Sequence, residues 1–178
     1  SFNQAVAFLS PPNQSRVLCI GTNQGDELGH LHSLLEHPRT LVGLDHSASA
    51  IGIARQRYPA VPFDFRVFDL NGIHKLSDEP FDLIVAINTL HSPGLDGQSI
   101  FRWLVSHRLS PKGGVILGFP NSRYVDHRLS YGARVRNYRH PELSVLFKEA
   151  STYKRYMHQQ GFQVTITGKH TILVTGKR

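Results

Sequence analysis

Apolar and polar positions follow several rhythms along the chain, and each rhythm predicts a different element. Val17 to Ile20, Leu41 to Leu44 and Phe81 to Ile87 are nearly unbroken apolar runs, as expected of parallel strands buried on both faces. Between the first two, Leu28, Leu31, Leu34 and Leu35 make one stripe over residues 25–36, which predicts a helix with a single buried face. A helix over 47–58 is capped by Ser47 and stopped before Pro59. Strand 63–68 draws its apolar bulk from Phe63, Phe65 and Phe68. Helix 97–109 buries Ile100, Phe101, Leu104 and Val105, and Ser110 to Gly114 reads as a tight turn into strand 115–119. A short amphipathic helix over 2–10, stopped by Pro11-Pro12, would lie across the sheet's edge or cover a ligand. Towards the end, Pro141-Glu142 opens a helix running to Gln160, with Leu143, Leu146, Phe147, Ala150, Tyr153 and Met157 on its core stripe and Gly161 as its stop. Residues 162–167 and 171–175 then alternate as a hairpin.

The chemistry concentrates in residues 16–45. An apolar strand breaks at Gly21, a second glycine, Gly25, opens a helix, and the next strand ends on Asp45. This is the pattern of the first βαβ unit of a nucleoside-binding sheet. Gly21 turns the chain where a Cβ would collide with a ligand, and Gly25 lets the helix start close against the sheet. The Asp45 carboxylate, an acceptor only, suits the two hydroxyls of a ribose. Asp26 and Glu27 at the helix start would repel a pyrophosphate, which dinucleotide sites bind at that terminus. A nucleoside carrying a cation fits better.

From Arg16 to about Pro120, and more loosely beyond, the chain resembles the class I S-adenosylmethionine-dependent methyltransferases. Their first strand runs into a loop of the form acid-x-G-x-G-x-G, matched here by Cys19-Ile-Gly21-Thr-Asn23-Gln-Gly25. Cys19 stands where the family has an acid that helps to hold the methionine amino group, a role Asp26 or Glu27 would have to assume. Asn23 replaces the middle glycine, and Asn is the side chain best able to keep the positive φ. The passage Leu109 to Phe119, a polar turn with Pro and Gly-Gly leading into an apolar strand, also matches the family. The resemblance implies an α/β fold: a Rossmann-like, doubly wound, seven-stranded sheet of order 3-2-1-4-5-7-6, last strand antiparallel, with helices on both faces. It implies S-adenosylmethionine as cofactor, with Gly21, Thr22, Asn23, Gly25, Asp45, His46, Asp69, Leu70 and Asn88 as binding residues. Asp69 would accept from the adenine amino group, although it also suits the cap of a turn over 71–76. His91 resembles a histidine frequent in this position, either a general base or a residue shaping the pocket. Tyr124, at the next strand end, is the other catalytic candidate. The Asn88-Thr-Leu-His91 sequence lacks the Asn-Pro-Pro-aromatic signature of adenine N6 enzymes.

Composition narrows this further. At 178 residues and 40% hydrophobic the chain can bury one core, so 1–178 is expected to be a single domain. A lone cysteine excludes a disulfide framework and a Cys-based zinc site, and no metal is expected. Cys19, inside a buried strand, reads as an inert thiol, which argues against cytosine C5 methylation. Without a long apolar run or signal-peptide pattern, a soluble cytoplasmic protein that does not enter a membrane is expected.

The net charge of +7 is uneven: residues 1–120 hold 9 Lys and Arg against 10 Asp and Glu, and residues 121–178 hold 11 against 3. Residues 121–140 form an insertion with five arginines and interleaved Tyr124, Tyr131 and Tyr138. Of these, Arg123, Arg128, Tyr131 and Arg134 are the candidate substrate-binding residues, since guanidinium forks suit phosphates or carboxylates and tyrosine faces suit rings. The expected acceptor is an anionic small molecule or RNA; a lid held by its own contacts explains the same residues. A degenerate methyltransferase fold serving as a nucleic-acid- or protein-binding module is the alternative. A nicotinamide dehydrogenase fits Asp45 but not the acidic helix start.

Overall fold

The computed structural model describes residues 1–120, 145–168 and 171–178, together with the backbone of the short strand pair Tyr124–Val125 (β6) and Arg128–Leu129 (β7). Its centre is a seven-stranded sheet built from β1 (Arg16–Ile20), β2 (Thr40–Asp45), β3 (Phe63–Val67), β4 (Phe81–Ile87), β5 (Leu109–Pro120), β8 (Gln163–Thr167) and β9 (Thr171–Lys177). The spatial order is β3-β2-β1-β4-β5-β9-β8. Strands β1 to β5 run parallel, and β9 runs antiparallel to both of its neighbours. Counting sheet strands alone, this is the expected order 3-2-1-4-5-7-6.

The two faces are read directly from the strand alternation, because successive side chains point to opposite sides. Val17, Cys19, Leu83, Val85, Ile116 and Leu173 face one layer, made of α1 (Phe2–Leu9), α2 (Asp26–Leu34) and α3 (Ala48–Arg57). Leu18, Ile20, Ile84, Ala86, Val115, Leu117 and Val174 face the other, made of α4 (Gly97–His107), α5 (Val145–Gln159) and the short 3-10 turn Leu70–Lys75. Ser47 caps α3 by accepting from the Ala50 N–H at 3.2 Å. On α5, Ala150, Tyr153 and Met157 are buried as expected.

Three local expectations change. Leu34 does not join the core stripe and is 39% exposed; α2 ends there, and Leu35, already extended, packs against the core in its place. Helix α4 ends at His107, and Leu109 pairs with Phe81. The turn expected at 110–114 lies inside β5 as an irregularity, since Phe81 pairs with Leu109 but Leu83 pairs with Gly114. The extra residues of Ser110-Pro-Lys-Gly are absorbed as a bulge. The expected helix start at Pro141-Glu142 lies outside the described residues.

Among the described residues no helix is long and apolar enough to cross a membrane.

Candidate active site

The loop after β1 is tied to β2 by its own backbone. The Thr22 N–H donates to the Leu44 carbonyl at 3.1 Å, and the Gly25 N–H turns back to the Thr22 carbonyl at 2.9 Å. The Asn23 N–H donates to Asp45 Oδ2 at 2.9 Å, and the Ser47 N–H donates to Asp45 Oδ1, also at 2.9 Å. Each oxygen of this 8% exposed carboxylate thus holds one backbone donor and keeps acceptor capacity for another. Asn23 has φ +48°, the left-handed conformation that its place in the loop requires. Gly25 has φ +86°, and a Cβ there would stand 2.7 Å from the Phe65 ring.

Gly21 behaves differently from the sequence reading. A Cβ at this position would collide first with the side chain of Thr89, not with a ligand. Thr89 is buried, and its hydroxyl lies 3.1 Å from the Ile20 carbonyl and 3.0 Å from the Ile87 carbonyl, sharing its proton between them. It therefore links the ends of β1 and β4. Asn88, beside it, has φ +53° and anchors its N–H to the Gly118 carbonyl at 2.9 Å.

These loops and the end of β3 enclose a cavity of about 790 Å³ at the carboxyl ends of the strands, within the usual range for small-molecule sites. Glu27, Asp45 and Asp69 supply three carboxylates to its wall, and no lysine or arginine lines it among the described residues. Burial pushes the Glu27 carboxyl above its ordinary range. Asp69 caps the 3-10 turn, its Oδ1 accepting from the Asn71 N–H at 2.9 Å, and the residue also lines the cavity beside the buried Leu70. Cys19 is buried, and its thiol is pushed well above its ordinary range first by that burial and then by the charge of Glu27. Among the described residues no cluster of His, Cys, Asp and Glu is placed to hold a metal ion.

Of the residues expected from sequence, Gly21, Asn23, Asp45, His46, Asp69, Leu70 and Asn88 line this cavity. Thr22 and Gly25 are buried and do not line it. His91 stands off the lining, half-buried, its ring 6.2 Å from that of Phe119. The side chains of Tyr124, Arg123, Arg128, Tyr131 and Arg134 lie outside the described residues. Thr89, Ser92, Pro93 and Leu95 also line the cavity. Thr89 carried one signal, its place right after the strand-end Asn88, but nothing in sequence reveals that it fills the space left by Gly21.

A family model described as a methyltransferase domain matches residues 2–166. No curated protein matches the chain. Among solved structures, an S-adenosylmethionine-dependent methyltransferase from Mesorhizobium loti superposes with a TM-score of 0.69 at 19% identity, covering 98% of this chain and 96% of that one. The magnesium protoporphyrin IX methyltransferase of Synechocystis, solved with bound S-adenosylmethionine, gives 0.63 at 17% identity over 99% of this chain and 77% of its own. An rRNA methylase from Streptococcus thermophilus gives 0.66 at 10% identity, covering 98% and 93%. With nearly the whole chain matched by one family model and a sheet order shared with these enzymes, the chain belongs to the methyltransferase-domain family and carries the class I S-adenosylmethionine-dependent methyltransferase fold.

Proposed function

We propose that residues 1–178 act as a single methyltransferase domain that binds S-adenosylmethionine in the 790 Å³ cavity. The observation that carries this reading is the charge of the wall. Three carboxylates and no lysine or arginine among the described lining residues suit a nucleoside with a sulfonium and an ammonium group. The same wall repels the pyrophosphate of a nicotinamide dinucleotide. When bound, the cofactor supplies an electrophilic methyl group on sulfur.

The residues divide the work by position. Asp45, held by the Asn23 and Ser47 N–H groups, accepts from the ribose hydroxyls. Leu70 packs against the adenine, and Asp69 accepts from its amino group. Gly21, with Thr22, Asn23 and Gly25 in the same loop, gives the methionine end a wall without side-chain obstruction. Glu27 supplies the negative charge that Cys19 does not; Asp26, the other candidate, is engaged by Arg57 at 2.7 Å. His46 stands at the rim, and Asn88 faces the methyl end. Most of the acceleration comes from positioning an already activated donor, so proton transfer by His91 or Tyr124 adds to this reading without being required by it.

The acceptor is the finer question. Anionic small molecules and RNA were favoured by Arg123, Arg128, Tyr131 and Arg134, which lie outside the described residues, and the described walls offer such acceptors no cation.

Calorimetric titration with S-adenosylmethionine and S-adenosylhomocysteine tests the donor site. Micromolar binding is expected, and Asp45→Ala should weaken it about 100-fold, the value of charged hydrogen bonds lost from a buried site. A folded wild-type protein that binds neither ligand overturns the reading and favours the binding-module alternative.

A further inference from the structure

A second cavity, of about 450 Å³, adjoins the first at Glu27 and Ile87, the two residues that line both spaces. The second lies where α1 crosses the start of α2, beside the end of β4 and the start of β9. Its walls are mostly carbon, from Phe2, Ile87 and Leu173, with Thr171 at the edge. The first turn of α1 is fastened over it: His30 Nε2 lies 2.6 Å from Asn3 Oδ1, and the His30 and Phe2 rings are 5.8 Å apart.

The ionisable side chains lining it among the described residues are Asp26, Glu27 and His30, with no lysine or arginine; Ser1 also lines it, its terminal ammonium donating to Gln4 Oε1 at 2.6 Å. Asp26 is already paired with Arg57. Glu27 is partly desolvated, which pushes its carboxyl up; a carboxylate in that setting rewards a neighbouring donor or cation and penalises an anion.

We propose that this pocket binds the methyl acceptor, and that the acceptor is a small, largely apolar molecule without negative charge, presenting a nitrogen or oxygen nucleophile where the two spaces meet, beside Glu27 and Ile87. This assignment rests on the donor reading above. On transfer, the nucleophile's lone pair forms the bond to the methyl carbon, the carbon–sulfur electron pair stays on sulfur, and the N–H or O–H proton leaves to water. The body of the acceptor sits against Phe2 and Leu173.

Three probes of one shape and different charge test it: 1-naphthalenemethanol, 1-naphthylmethylammonium and 1-naphthoate. Each is titrated by saturation-transfer NMR into the protein saturated with S-adenosylhomocysteine. The alcohol and the ammonium should bind, with naphthoate at least tenfold weaker. Thr171→Trp, which fills the pocket, should abolish probe binding while leaving S-adenosylhomocysteine affinity within twofold. Phe2→Ala, which removes one wall, should weaken the probes severalfold and decides the matter should the tryptophan variant misfold. Glu27→Gln should erase the preference for ammonium over naphthoate. Naphthoate binding as well as the others, no probe binding at all, or binding indifferent to the wall variants overturns the assignment. Failure of wild-type protein to bind S-adenosylhomocysteine is a separate result of the same titrations; it overturns the donor reading and the acceptor assignment with it.

Discussion

The loops after β1 and after β4 face the same cavity but are held by different means. The first is fastened through its backbone: the Thr22 N–H to the Leu44 carbonyl, the Gly25 N–H back to Thr22, and the Asn23 N–H to the Asp45 carboxylate, which the Ser47 N–H holds from the other side. The second is tied to β5 by the Asn88 N–H on the Gly118 carbonyl and to β1 by one side chain, Thr89, which reaches the carbonyls of Ile20 and Ile87 and occupies the space that Gly21 leaves open. Redundant backbone fastening explains how the first loop keeps its shape with Cys19 and Asn23 in place of the family's acid and glycine. The second loop's link to Ile20 is made by a side chain instead.

The contrast breaks most readily at Gly21. Gly21→Ala forces a side chain into Thr89 and into a positive φ, and should cost about 3 kcal/mol of stability with near-complete loss of S-adenosylhomocysteine binding; thermal melts and calorimetry read both. Thr89→Val keeps the shape but removes the hydroxyl, and should cost about 1 kcal/mol in denaturant titrations. If Thr89→Val is silent, the second loop is held by something other than this hydroxyl.

Glu27→Gln should act in two directions. Burial raises the Glu27 carboxyl pKa in the folded protein, so the folded state binds that proton more tightly than the unfolded state, and the ionised carboxylate costs stability at neutral pH. The variant should therefore melt at a slightly higher temperature than wild type at pH 7 and show no gain at about pH 3, where both states are protonated, while binding the cofactor more weakly. Smallest of all, Asn23→Gly should change stability by no more than about 0.5 kcal/mol, since the residue already sits at positive φ. A large loss there would mean that the asparagine side chain itself holds the loop.

The same contrast governs what the sequence made legible. The strands, the two glycines and Asp45 could be read because each acts through local pattern: an apolar run, a backbone turn, a strand-end acid. Seven of the nine expected cofactor residues line the cavity for that reason. Thr89 was not legible, because its role is a contact across 69 residues with Ile20 and into the space left by Gly21. Leu34 misled because a helical stripe says nothing of where the helix ends. Ser110 to Gly114 looked like a turn because its Pro and glycines are the residues that turns use, and a bulge within β5 uses them too. Glu27 was recognisable as an acid near the site, but not as a residue that lines two cavities.

The meeting of α1 with β9 has a consequence for the chain's birth. Ala5, Val6 and Leu9 bury against Leu173 and Ile116, and the Phe8 carbonyl accepts from Lys177 Nζ at 3.5 Å, a contact spanning 169 residues. A ribosome exposes that apolar helix face long before it delivers the strand that covers it. Non-local closure of this kind is slow and leaves sticky surface waiting. That helix face stays uncovered until β9 emerges, and the apolar pocket beside Phe2 is among the last features to take shape.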